Sequence, residues 1–165
     1  MSKRPFVLDP LFTSVQTLPG VGPRSVRLYE KLCGPKISDL LWHLPTGIID
    51  RRFNPKVIDA PQGRIATFKV NIDQHIPNPA KNRPYRVKTS DDTGVLDIVF
   101  FHPRKNYIET QLPIGETRLI SGKVEYYNGT PQITHPDLIG PIEEQDLIQT
   151  VEPTYALTAG LNQKP

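Results

Sequence analysis

"RPYRVKTSDDTGVLDIVFF" occupies residues 83–101. Apolar and polar side chains alternate on both sides of its centre. Tyr85 and Val87 face one way, with Arg86 and Lys88 opposite. Leu96, Ile98 and Phe100 share a second apolar face, with Asp97, Val99 and Phe101 on the other side. A period of two marks strands, and "SDDTG" between them supplies a turn. The pair is therefore read as an antiparallel hairpin.

The same period runs outward in both directions. In "ATFKVNI" (66–72), Phe68, Val70 and Ile72 alternate with Thr67, Lys69 and Asn71. Downstream, "RKNYIETQL" (104–112) has a helical pattern stopped by Pro113 and Gly115. "TRLISGKVEYYNGTPQITHP" (117–136) reads as two strands around the Asn128-Gly129 hairpin signal. Gly122 inside the first of these predicts a bulge or sharp bend. Three strands, a short helix and two strands are the order of the five-stranded OB-fold barrel.

Residues 1–52 read as helical. Pro23 suits the first turn of a helix, and Val26, Leu28, Tyr29 and Leu32 recur at helical spacing. Gly34-Pro35 ends that helix. Ser38 is expected to cap a second one carrying Leu40, Leu41 and Leu44, closed by Pro45. Residues 138–165 are acidic and weakly periodic, and read as a connector. The expected fold class is thus mainly β, an OB-fold barrel over 53–137 preceded by a small helix-hairpin-helix-like segment.

Composition narrows the class of partner. The chain has 165 residues, enough for one compact domain and an appendage. Its 18 prolines favour short strands and many turns. Residues 1–136 hold 19 Lys/Arg against 12 Asp/Glu, a net +7, whereas 137–165 are net −4. A basic body suits a polyanion. The single cysteine, Cys33, excludes an internal disulfide and fits a reducing cytoplasm. No apolar run is long enough for a signal peptide or a membrane span.

No catalytic constellation emerges. The run from Gly115 to Gly122-Lys123 lacks Walker A spacing, and Val124 stands where Ser or Thr is required. His43, His75, His102 and His135 are scattered without metal-ligand spacing. Asp91 and Asp92 read as turn residues rather than a cation site. No catalytic residue, metal ligand or resident cofactor is expected.

Two stretches instead suit nucleic acid. In "LPGVGPRSVRLYEKL" (18–32), Gly20 and Gly22 bring backbone N–H groups to a helix N-terminus, which attracts phosphate. Arg24 and Arg27 add charge on the first turns. The other reading is that the glycines only allow a tight turn and close helix packing. In the second stretch, Phe101 faces outward beside Arg104, Lys105 and Tyr107. Exposed aromatics among basic residues are what base stacking requires. Arg86 and Lys88 extend the basic surface.

These stretches belong to a larger pattern. "LPGVGPRS", "DLLWHLPTGIIDRR", "DDTGVLDIVFFHPRKNYI", "GETRLISGKVEYYNGTPQITHPD" and "PTYALTAGLNQK" together resemble the N-terminal wedge region of the RecG family of bacterial ATP-dependent DNA helicases. The resemblance spans roughly residues 15–164. It implies a cytoplasmic, monomeric protein that binds branched DNA, at stalled forks and Holliday junctions, and splits the duplex there. It implies that Phe101, with Phe100 beside it and Tyr107 second, stacks on bases at the branch. ATP and Mg²⁺ would belong to motor domains outside these residues. The spacer "HPRKN" is longer than the family's usual one, and the loop "HIPNPAKNRPYR" is unusually proline-rich. Two other readings remain: a free-standing single-strand-binding OB protein, and an OB module for oligosaccharide or protein.

Overall fold

The structure is a computed structural model. It describes residues 5–77, 84–101 and 105–161, with Lys105 described by its backbone only. The chain divides into two compact units, residues 1–48 with 153–165, and residues 49–152.

In the first unit, helix α1 (Pro23–Leu32) begins with proline in its first turn, as expected. Its Val26, Leu28, Tyr29 and Leu32 are half-buried, and Val15 beside it is fully buried. Helix α2 (Ile37–Leu41) departs from the expectation. Ser38 lies inside it, and the cap is made by Asp39, whose carboxylate accepts the Lys36 N–H at 2.9 Å. An acid three residues into the helix satisfies the free amide better than a serine placed too late. Leu44 falls beyond the helix end and is exposed.

Strand β1 (Gly47–Asp50) follows, inside the stretch read as helical, and pairs with β8 (Val151–Thr154). The second unit is built on β2 (Ile65–Ile76), β3 (Tyr85–Ser90), β4 (Val95–Phe100), helix α3 (Lys105–Gln111), β5 (Thr117–Tyr127) and β6 (Thr130–Thr134). The strands run in the order β2-β3-β4-β6-β5, and β5 returns to pair with β2, closing a five-stranded barrel. Among the described barrel pairings, β4–β6 is parallel and the others are antiparallel. This is the order of elements expected for an OB-fold barrel.

The core follows the alternation. Phe68, Val70, Ile72, Tyr85, Val87, Leu96, Ile98, Ile120, Val124 and Ile133 form one buried cluster. Ile108 of α3 and Leu112 just after it join the same cluster. Each fully buried aliphatic contributes about 1.5–3 kcal/mol. Asn128 and Gly129 both have positive φ, 49° and 80°, as a type I′ hairpin turn requires. The "SDDTG" turn is held by Asp91, whose Oδ1 accepts from the Thr93 and Gly94 N–H groups at 2.7 and 3.0 Å. Its Oδ2 accepts the Val57 N–H at 2.9 Å. Burial pushes the Asp91 carboxyl up, but the hydrogen bonds from Thr93, Val57 and Gly94 outweigh it and hold the group below its usual value.

Three expectations in this unit need correction. Gly122 marks no bulge, because the register runs unbroken through Ala66↔Gly122. A Cβ there would meet Ile133 Cγ2 at 2.6 Å, so the glycine answers to space. The irregularity lies in β2, between Ile72 and Gln74, where the strand passes from β5 to β3. Next, Asp97 and Val99 have outward parity yet are buried. Strand β4 is flanked by β3 and β6, and Arg86, opposite Val99 in the register, brings its guanidinium to 3.8 Å from Asp97. Finally, the stretch read as a connector includes β7 (Leu138–Pro141), which pairs with β5 through Arg118–Ser121, and helix α4 (Gln145–Ile148).

Buried Arg51 ties these late elements to the barrel. Its guanidinium donates to Glu152 at 2.9 and 3.0 Å, to Asp137 at 3.0 Å and to the Ser121 hydroxyl at 3.3 Å. The Thr67 hydroxyl donates to the Arg51 carbonyl at 2.7 Å.

Candidate nucleic-acid interface

Strand parity decides which side chains face outward at the end of β4. Phe100 is the last residue of the strand, partly buried against the core. Phe101 follows it and is 49% exposed. The two phenylalanines thus divide as expected, one packing inward and one presenting its ring to solvent.

A third ring completes the group. His135, directly after β6, lies 5.8 Å from the Phe101 ring at an interplanar angle of 40°. It meets the Phe100 ring edge-on at 6.1 Å. The Phe101 N–H donates to His135 Nε2 at 3.2 Å. An accepting Nε2 puts the ring proton of the neutral imidazole on Nδ1. His135 adopts a left-handed φ of 49°, uncommon outside glycine.

Farther along the same outer face, the Arg86 guanidinium lies 5.2 Å over the Tyr127 ring and 3.8 Å from an Asp97 oxygen. Arg86 is therefore already engaged. Lys88, its neighbour in parity, is exposed. The other Asp97 oxygen, Oδ1, is buried without a hydrogen-bond partner.

Tyr107, on α3, is 59% exposed. Its helix is anchored by Ile108 and Leu112. His75 steadies the helix end, with Nε2 2.7 Å from the Leu112 carbonyl and Nδ1 2.7 Å from the Tyr85 hydroxyl. His102 and Arg104 lie outside the described residues, as do the Lys105 side chain and the centre of the proline-rich loop.

The other unit carries Gly20, Gly22 and Arg24. Gly20 has φ +81°, which favours glycine. Gly22 caps α1 in an extended conformation, φ −88°. A Cβ at either glycine would meet nothing within 4 Å. Close helix packing therefore does not explain the pair, and at Gly22 the chain's own fold makes no demand for glycine. Arg24 and Arg27 border an open surface depression of about 430 Å³.

The structure thus brings Phe100 and Phe101 together with His135, and Arg86 together with Tyr127. Sequence reasoning missed His135 and Tyr127. Outward parity counted from Val124 could have found Tyr127. His135 depends on the parallel β4–β6 pairing, which alternation does not reveal. Among the described residues, no group of three His, Cys, Asp or Glu could hold a metal ion. No helix among them is long and apolar enough to cross a membrane.

A closed five-stranded barrel of this connectivity is an OB-fold barrel, a class with many nucleic-acid and oligosaccharide binders. The family is narrower: the model of the RecG wedge domain matches residues 14–165, and the chain belongs to that family. Among solved structures, RecG bound to a three-way DNA junction is similar at 25% identity and a TM-score of 0.76. That similarity covers 93% of this chain and 21% of the other, so the chain spans about a fifth of that RecG's length. A domain of replication protein A from Methanococcus maripaludis is similar at 19% identity and a TM-score of 0.43, over 55% of this chain and 96% of that one. No curated protein matches the chain.

Proposed function

We propose that this chain binds branched DNA and acts as the strand-separating wedge of a RecG-like helicase. The observation that carries the reading is the exposed Phe101 ring at the end of β4, on the barrel of a RecG wedge domain. The similar RecG, solved on a three-way junction, supports the same ligand class.

Each group then has a role at the fork. The Phe101 ring offers a π-face to the last base pair before the branch, and one such stack is worth about 1–3 kcal/mol. A ring held there replaces the base-stacking partner lost when strands part. Tyr107 offers a second ring. Lys88, Arg104 and Lys105 neutralise phosphates on the diverging strands, while Arg86, held by Tyr127 and Asp97, adds positive charge beside them. The Gly20 and Gly22 amides and Arg24 hold backbone phosphate without reading sequence. The barrel is the DNA-contacting part of the unit that spans residues 49–152. ATP and Mg²⁺ would drive a motor acting with the wedge. The sequence carries no Walker A spacing, so no step here runs through ATP. The protein would work as a monomer at stalled forks and Holliday junctions in the bacterial cytoplasm.

A labelled three-way junction titrated with the chain, against unlabelled single-stranded competitor, tests this reading. Junction preference is expected, with affinity falling steeply as salt rises because phosphate contacts release counterions. Equal competition by single strands, base for base, would refute the wedge.

A further inference from the structure

We propose that His135 is a positioning residue for Phe101, holding its ring ready for the branch point; this rests on Phe101 being the stacking residue. The parallel ladder between β4 and β6 ends at Val99↔Thr134, and the His135 N–H still donates to the Val99 carbonyl at 2.9 Å. There the backbone turns left-handed, φ 49°. That turn returns the imidazole to the end of β4, where Nε2 accepts the Phe101 N–H at 3.2 Å. A side chain thus supplies the next rung, after the backbone ladder has stopped. The same ring lies beside both phenylalanines, 5.8 Å from Phe101 and 6.1 Å from Phe100.

Phe101 needs such a device. It lies beyond the last residue of its strand and is half-exposed, so little core packing fixes it. Fixing the backbone of one free residue on binding weakens affinity by roughly 5- to 30-fold. His135 removes that cost before DNA arrives, which is preorganisation. Its own contact with DNA is not required.

His135→Phe keeps a ring and loses the acceptor, whereas His135→Gln keeps an acceptor and loses the ring. Both carry the same left-handed backbone, so strain is matched between them. Junction affinity is measured by fluorescence anisotropy for each, alone and with Phe101→Ala. The expected result is about 5–10-fold weaker binding for His135→Phe, near wild-type binding for His135→Gln, and no further loss when His135→Phe is added to Phe101→Ala. Additive losses in the double variant would show His135 acting independently of Phe101, and would overturn the proposal. So would an unchanged affinity in His135→Phe while Phe101→Ala weakens binding. If Phe101→Ala itself binds normally, the stacking reading falls and this inference falls with it. Amide hydrogen exchange at Phe101 gives a second readout: slow exchange in wild type and His135→Gln is expected. Fast exchange in wild type overturns the proposal even if His135→Phe fails to fold.

Discussion

Replacing each of the two adjacent phenylalanines with alanine should produce opposite phenotypes. Phe101 is half-exposed, so truncation removes only part of a buried ring. Full burial of Phe is worth about 1.5–3 kcal/mol, which puts the stability cost near 1 kcal/mol. For a chain of this size that lowers the melting temperature by about 2–4 °C. The DNA effect should be larger: one lost stack weakens junction binding by about 1–3 kcal/mol, roughly 5- to 150-fold in Kd. Phe100 packs against the core cluster and edge-on to His135. Fully buried Phe→Ala changes cost about 3–5 kcal/mol, so a partly buried ring should cost about 2–4 kcal/mol. Thermal melting followed by fluorescence circular dichroism, with anisotropy titration of a labelled three-way junction, reads both quantities. A Phe101→Ala protein that melts as low as Phe100→Ala, yet binds the junction normally, would refute the assignment of faces.

Three further outcomes are expected. Arg51→Met should cost roughly 3 kcal/mol in urea denaturation, because buried ion pairs lose heavily when one partner goes; the partial exposure of Asp137 and Glu152 keeps the loss at the low end. Gly122→Ala should cost about 1–3 kcal/mol in the same assay, since its Cβ would press on Ile133 at 2.6 Å. Asp91→Asn should cost about 1–2 kcal/mol at pH 7 through weakened turn hydrogen bonds. The folded Asp91 carboxyl is held below its unfolded value near 3.9, so its contribution is complete above that pH and fades as pH falls through the folded value. Melts of wild type and Asp91→Asn should therefore begin to draw together below about pH 4 and converge once the pH has fallen through the folded value.

The barrel was legible because its strands alternate and its turns carry their own chemistry. Phe68, Val70 and Ile72 announce one strand, and Asn128-Gly129 closes another with the left-handed pair that a tight hairpin needs. The Phe100/Phe101 division follows from the same alternation. Other features depend on long-range pairing, which local pattern does not encode. Val99 reads as outward yet is buried, with Arg86 and Thr134 as its register partners on the two flanking strands. Gly122 looks like a bulge until Ile133, from the neighbouring strand, is seen to occupy the space. Leu138–Pro141 lacks a clear period because its role is to extend an existing sheet edge. His135 reaches the site only through parallel pairing across 34 residues of chain. Asp39 shows the limit at helix ends, where two polar residues stood near the start and geometry chose the second.

Placement of Phe101 against the base at the branch is best measured with a three-way junction carrying 2-aminopurine at the first paired position. Stacking on an aromatic ring changes its fluorescence. Wild type should alter the signal on binding, and Phe101→Ala should bind at saturating concentration without that change, while the same probe moved ten base pairs into an arm should respond to neither protein. An identical response from wild type and Phe101→Ala at the branch position would contradict the wedge contact.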